Sequence, residues 1–366
     1  MFGVGFDDSI CYLCILILYM TPQVVDIKEV GELKFLLSKS RNIVVTCHVS
    51  PDGDAIGASL ALWHVFLLMG KRVAIVTPDQ APKSLSFLPG IKDIIPYSCY
   101  VGKVNRLFED ADLIICLDFN SLSRVDKLAE AFNITKAQKV MIDHHLYPDN
   151  FADIIISQPK MSSTCILLYC VLIQIGLKKY INKDVAECIY TGMMTDTGNF
   201  TYNSSDPNIY KVISELLEYG IAKDDIYTRV FNTNTESRLR LNGYAISHNM
   251  RIYKSHRACI VTLSAEELNK YNYQKGDTEG VVNIPLSIPG IEYSAFFRED
   301  AEYIKVSMRS KGDFPVNIIC EKYYNGGGHK NAAGGEFFGT LEEAVALIES
   351  LFNENDKYLC NENEAV

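Results

Sequence analysis

Asn42-Ile-Val-Val-Thr-Cys-His48-Val-Ser-Pro-Asp52-Gly-Asp54 is the stretch that decides the fold. It begins as an unbroken apolar, β-branched run of strand length and passes into turn residues. These open an apolar stretch from Ala55 to Met69 that predicts a helix. His48, Asp52 and Asp54 therefore stand at a strand-to-helix turn. The pattern recurs in Ala111-Asp-Leu-Ile-Ile-Cys-Leu-Asp118 and again in Lys139-Val-Met-Ile-Asp143-His144-His145. In an open parallel sheet the carboxyl ends of the strands face one crevice, so residues at those ends converge from distant parts of the chain. Asp196, in Thr195-Asp196-Thr197-Gly198-Asn199-Phe200 after a predicted helix from Lys183 to Met194, can complete the set.

A single aspartate after a strand is more often a helix cap than a ligand, and a lone histidine there is more often a satisfied polar group. Four clusters in the same setting are not independent accidents. Carboxylates suit hard divalent cations, and imidazole shifts the choice toward a transition metal, so Mn²⁺ is expected ahead of Mg²⁺ or Co²⁺. Four aspartates and two histidines suffice for two ions about 3.5–4 Å apart with one bridging carboxylate, an arrangement that activates water and neutralises a phosphoryl group.

At these residues the chain resembles the DHH phosphoesterase superfamily, whose naming triplet is matched by Asp143-His144-His145. The resemblance extends to Gly326-Gly327-Gly328-His329-Lys330-Asn331-Ala332-Ala333-Gly334-Gly335, similar to the glycine-rich stretch of the DHH-associated second domain, DHHA1. It is strongest to the NrnA-type subfamily, which degrades very short RNA and dephosphorylates 3′-phosphoadenosine 5′-phosphate. The resemblance implies an α/β fold with a Rossmann-like parallel-sheet DHH domain and a smaller α/β DHHA1 domain. It assigns His48, Asp52 and Asp118 to one ion and Asp54, Asp118, His144 and Asp196 to the other, with Asp118 bridging. His145 is left to contact a phosphoryl oxygen or protonate the leaving oxygen, with packing against His144 as the alternative. Asp143 either accepts a hydrogen bond that fixes a ligand tautomer or is purely structural.

Substrate binding is expected from Gly327, Gly328, His329 and Lys330, because consecutive glycines let backbone N–H groups approach a phosphate. Arg309 resembles the family's substrate-phosphate arginine, and Arg298 is a weaker candidate. Partners are expected to be short single-stranded RNA or small nucleotides, without stable duplex binding or membrane attachment and with a homodimer left open. A cyclic di-AMP or pApA phosphodiesterase would use the same catalytic residues. A non-catalytic nucleotide sensor would be expected to lack at least one metal ligand, and none is missing.

At 366 residues and 48% hydrophobic content the chain can bury more than one core. The reading divides it into a head at 1–23, a DHH domain at 24–205, a helical linker at 206–249, a DHHA1 domain at 250–352 and a solvated acidic tail at 353–366. The net charge of −10 argues against holding long duplexes by charge alone. Eleven scattered cysteines, several inside strand patterns, fit a reducing compartment, and a cytoplasmic location is expected. The Cys11/Cys14 pair lacks the second pair that a zinc site would need. The apolar run from Ile10 to Met20 is shorter than the about 20 residues that cross a bilayer. Residues 1–19 are expected to be an extended translation start, with an extra helix or a short membrane-touching anchor as the alternative.

Overall fold

The computed structural model describes residues 23–359. The expectations for residues 1–22, Cys11 and Cys14 included, and for the end of the acidic tail lie outside the described residues. Two compact units meet in sequence between Thr233 and Asn234.

The first unit opens with helix α1 (Ile27–Lys39) and strand β1 (Asn42–Thr46), followed by α2 (Gly53–Leu68) and β2 (Arg72–Thr77). β3 (Ile94–Pro96), α3 (Tyr97–Glu109), β4 (Leu113–Leu117), α4 (Ala129–Ile134), β5 (Gln138–Asp143) and β6 (Ile154–Ser157) complete the strands. Helices α5 (Thr164–Gln174), α6 (Lys183–Asp196), α7 (Pro207–Glu218) and α8 (Lys223–Phe231) end the unit. All six strands are parallel, in the order β3-β2-β1-β4-β5-β6. Both faces are covered, which is why the strands read as continuous apolar runs rather than alternating ones. Ile43, Val45, Ile115 and Ile142 point to the α2, α5 and α6 side, whereas Val44, Ile114 and Met141 meet Val104 and Phe108 of α3. α2 and α5 are apolar on almost every side and correspondingly buried. The strand order reverses between β1 and β4, and in such sheets the crevice lies beyond the carboxyl ends at that point.

The second unit contains α9 (Glu236–Asn249), β7 (Met250–Tyr253), β8 (Ala258–Leu263), α10 (Ala265–Lys270), β9 (Tyr293–Glu299) and β10 (Ile304–Ser310). α11 (Val316–Tyr323), β11 (Gly327–His329), β12 (Ala332–Phe337), α12 (Leu341–Ser350) and α13 (Phe352–Asn355) follow. Its sheet order is β11-β12-β10-β9-β8-β7, antiparallel except for the parallel pair β8 and β9. One face packs Ile260, Phe297 and Val306 against α11 and α12. The other packs Val261 and Phe296 against Leu241 and Ala245 of α9.

The stretch 206–249, read above as a helical linker, is divided between the units. Ile209, Val212, Leu216 and Ile226 join the first core, and Leu241 and Ala245 join the second. The part of the acidic tail that is described is not simply solvated: Asn355 is buried, and Asp356 accepts a bond from His256 Nδ1 at 2.9 Å. The described cysteines are free thiols. Among the described residues no helix is long and apolar enough to cross a membrane.

Candidate metal centre

Four segments deliver the site. His48 lies two residues beyond β1, Asp118 directly after β4, Asp143 at the end of β5, and Asp196 at the end of α6. Asp118 has φ 63, a left-handed conformation that aspartate tolerates better than bulkier residues. Asp52 is the N-cap of α2, and its Oδ1 accepts from the backbone N–H of Asp54 (3.0 Å) and Ala55 (3.1 Å). The ordinary helix-cap role is therefore real, and the same Oδ1 stands 3.8 Å from His48 Nε2.

Two imidazoles are aimed by backbone carbonyls. His48 Nδ1 donates to Val49 O at 2.8 Å, and His144 Nδ1 donates to Met161 O at 3.1 Å. In the neutral ring this leaves the lone pair at Nε2. His48 Nε2 faces Asp118 Oδ2 at 3.4 Å, while His144 Nε2 faces Asp118 Oδ1 at 3.6 Å and Asp196 Oδ2 at 3.5 Å. These separations are longer than ordinary N–H···O hydrogen bonds and suit atoms that share a cation. Ligand atoms lie within 4.8 Å of one another in each of three groups: His48, Asp52 and Asp118; Asp54, His144 and Asp196; and Asp118, His144 and His145. This set of carboxylates and imidazoles fits two divalent cations.

His145 is held differently. Its Nδ1 donates to Asp143 Oδ1 at 2.8 Å, and its backbone N–H donates to Asp143 Oδ2 at 2.9 Å. Asp143 is fully buried and is spent on this neighbour.

Burial and mutual crowding set the charge states of these acids. Burial, reinforced by Asp118, Asp196 and Asp52, pushes Asp54 well above the usual carboxylate range. Burial also pushes Asp196 up to about 7, against the pull of His144. At Asp118 burial acts upward too, but the neighbouring His48 imidazole prevails, with His144 and His145 adding to the pull, and holds it below its ordinary value. Burial opposes the charge on His48, yet Asp118 and Asp52 raise it. Burial raises the thiols of Cys47 and Cys165 far out of the reactive range, so these neighbours act as apolar packing.

The N-terminus of α5 was not singled out from the sequence. Thr164 N–H donates to Asp54 Oδ2 at 2.6 Å, Cys165 N–H donates to Asp54 Oδ1 at 2.9 Å, and Thr164 Oγ1 donates to Asp118 Oδ1 at 2.9 Å. Its sequence signal is Ser163-Thr164 ahead of an apolar run, an N-cap pattern that by itself points only to a helix start. Close helix packing completes the arrangement: a Cβ on Gly192 of α6 would lie 2.2 Å from Cys165 Sγ and 2.8 Å from Asp54 Oδ1.

The remaining candidates lie in the second unit. The glycine-rich stretch is a hairpin, β11 and β12, not an open loop. Cβ atoms on Gly326 and Gly335 would lie 2.0 Å from Gly334 O and 2.2 Å from Tyr324 O, so these glycines answer to backbone packing. Lys330 sits at the hairpin turn, paired with Asp313. His329 contributes backbone to β11, and its side chain lies outside the description. Gly328, with φ 142, has Ala332 O only 2.5 Å from where a Cβ would stand. Gly327 and Arg309 line a surface hollow of about 560 Å³ together with Lys305, Ser307 and Asn325. Arg309 also borders a groove of about 720 Å³ with Tyr273, Tyr303 and Lys305. Arg298 lines that groove, but its guanidinium is engaged by Asp300 at 2.9 and 2.7 Å and by Thr278 Oγ1 at 3.0 Å. It also lies over the Tyr273 ring at 5.0 Å. Arg298 thus holds the groove wall, and no motif marks Lys305, Tyr273 or Tyr303 as its neighbours.

Residues 42–193 match the DHH family, N-terminal domain, and residues 257–354 match the DHHA1 domain. The chain is 27% identical to the bifunctional oligoribonuclease and PAP phosphatase NrnA of Bacillus subtilis over 91% of its length and 99% of that protein. It is 30% identical to the Thermus thermophilus protein of the same name, over 84% of this chain and 87% of the relative. The crystal structure of an exopolyphosphatase-related protein from Bacteroides fragilis superposes with a TM-score of 0.90 at 47% identity, covering 92% of this chain and 98% of that one. With both domains matched in order and the relatives covered nearly end to end, the chain belongs to the DHH family and carries a DHHA1 domain after its DHH domain.

Proposed function

We propose that this protein is a metal-dependent phosphoesterase that hydrolyses very short oligoribonucleotides to mononucleotides and 3′-phosphoadenosine 5′-phosphate to AMP. The observation that carries the reading is the convergence of His48, Asp52, Asp54, Asp118, His144 and Asp196 at the carboxyl ends of the parallel strands, with ligand atoms at cation-sharing distances. The two activities named for the Bacillus and Thermus relatives supply the substrate class.

His48, Asp52 and Asp118 would hold one divalent cation and Asp54, Asp118, His144 and Asp196 a second, Mn²⁺ first in preference. When bound, these cations supply Lewis acidity toward the phosphoryl group and make an attacking water acidic. The protein's own part is preorganisation and proton transfer. Thr164 and the N-terminal N–H groups of α5 fix Asp118 and Asp54 before any ligand arrives. Asp143 fixes the ring of His145 through Nδ1, so proton exchange with a phosphoryl or leaving oxygen runs through Nε2. Arg309 and Lys305 line the second unit's groove and suit a substrate phosphate. The net charge of −10 fits a small or single-stranded anion gripped by a few local cations rather than a long duplex.

The test is Mn²⁺-dependent product release from 3′-phosphoadenosine 5′-phosphate, a ladder of short labelled RNAs, pApA and cyclic di-AMP, with Asp118→Ala as the control. AMP from the bisphosphate together with trimming of the RNAs is the expected result. Cleavage of cyclic di-AMP alone would move the protein to second-messenger turnover, and metal-independent or absent product would overturn the reading.

A further inference from the structure

Beyond His145 the chain exposes two large side chains in succession, Leu146 at 58% and Tyr147 at 86%. Tyr147 has φ 60, in the left-handed region where a bulky residue is an outlier. Pro148 follows directly and restricts the backbone of Tyr147 still further.

The segment is fixed from outside. Asn120 Nδ2 donates to Leu146 O at 2.6 Å, and Asp149 N–H donates to Asn120 O at 2.8 Å. Phe151 stacks on Phe119, ring centroids 5.6 Å apart and planes 10° apart. Both ends of the turn are therefore tied to the two residues that follow Asp118. Two residues of chain span at most about 7 Å, so the Tyr147 backbone stays that close to His145.

Glycine or asparagine would hold such a turn with less strain. The ring is too exposed to contribute much burial, so the fold gains little from a tyrosine at this position. A strained residue kept in place by its surroundings is a reason to look for function in what it presents. Here that is an aromatic face, uncharged, in an acidic neighbourhood.

We propose that Tyr147 is a stacking platform for the nucleobase next to the phosphate under attack. The inference rests on the nucleotide reading above and deepens it, because it makes recognition depend on a base and not on the phosphate alone. Stacking accepts any base, which matches fragments of arbitrary sequence. It also adds affinity without a lysine or arginine that would compete with cations for the carboxylates.

The test pairs enzyme variants with substrate variants. Tyr147→Asn removes the ring and suits the left-handed backbone, while Tyr147→Phe keeps the ring. Each is assayed with Mn²⁺ on the RNA dinucleotide ApA and on the same dinucleotide carrying an abasic residue at either end. Losing one stacked base costs about tenfold in kcat/KM, seen mainly in KM. Tyr147→Asn should show that loss on ApA and no additional loss on the abasic substrate whose missing base is the stacked one. Tyr147→Phe should stay close to wild type on ApA. Equal losses of Tyr147→Asn on ApA and on both abasic substrates, or no loss on ApA, would overturn the stacking role. A wild-type protein unable to cleave ApA would overturn the nucleotide reading itself, and the stacking proposal with it.

Discussion

Thr164 donates its hydroxyl to Asp118 Oδ1 at 2.9 Å while its backbone N–H donates to Asp54 Oδ2 at 2.6 Å, so one residue of α5 holds carboxylates from two other segments. Removing the hydroxyl takes from Asp118 Oδ1 its short donor, because the N–H groups of Thr164 and Cys165 go to Asp54. Thr164→Val keeps the shape of the side chain and the helix. It should weaken Mn²⁺ binding by about 10- to 100-fold, the usual cost of losing a group that orients a metal ligand. Isothermal titration against Thr164→Ser, which keeps the donor and should remain near wild type, checks this.

Metal affinity should rise with pH. In the metal-free protein the raised Asp54 and Asp196 carboxyls, the latter at about 7, keep protons that a cation must expel. Binding should therefore tighten from about pH 6 to about pH 8, with proton release falling across that window. Titrations in buffers of different ionisation enthalpy measure the release directly. The same shift fixes the sign for folding without metal. Asp196 holds its proton to about 7 in the folded state and loses it near 3.8 when unfolded, so this group's contribution to stability falls as pH rises through that interval.

Gly192→Ala should damage the centre without replacing any of the candidate ligands. Its Cβ would stand 2.2 Å from Cys165 Sγ and 2.8 Å from Asp54 Oδ1, so α5 or α6 must shift. Overpacking of this kind costs about 1–3 kcal/mol. A lowered thermal midpoint together with weaker Mn²⁺ binding is expected, and a fall in midpoint with unchanged metal affinity would show that the helices relax away from Asp54.

Arg298→Ala and Arg309→Ala should separate into different defects. Arg298 is buried and bonded to Asp300 and Thr278, so its loss should cost on the order of 2 kcal/mol in urea unfolding. Arg309 lines the two adjoining hollows that contain Lys305 and Tyr303, and its loss should raise KM for short RNA with a smaller effect on unfolding. Equal unfolding penalties would remove the distinction.

The sheet was legible because β1, β4 and β5 are buried on both faces, which forces uninterrupted apolar runs, and because the first polar residues after them fall where the strands end. The placement of His48, Asp118 and Asp143 follows from that alone. The role of Thr164 was not legible: its contact with Asp54 joins positions 110 residues apart, and locally Ser163-Thr164 says no more than that a helix begins. The glycine-rich stretch was legible as a motif, but its hairpin form was not. Glycine serves equally where a backbone approaches a phosphate and where it approaches another backbone, and at Gly326 and Gly335 it is the second. The engagement of Arg298, a weaker candidate from the start, by Asp300 was not legible because a strand pattern does not reveal side-chain partners.

The reversal of strand order between β1 and β4 also bears on how the protein matures. Its candidate ligands run from position 48 to position 196, and the segments that carry them meet only when β1, β4 and β5 are assembled with α6. A nascent chain that has made β1 and α2 carries three of the candidate ligands and no site. Uptake of a cation at these residues would then report assembly of the sheet with α6 and stabilise that state alone.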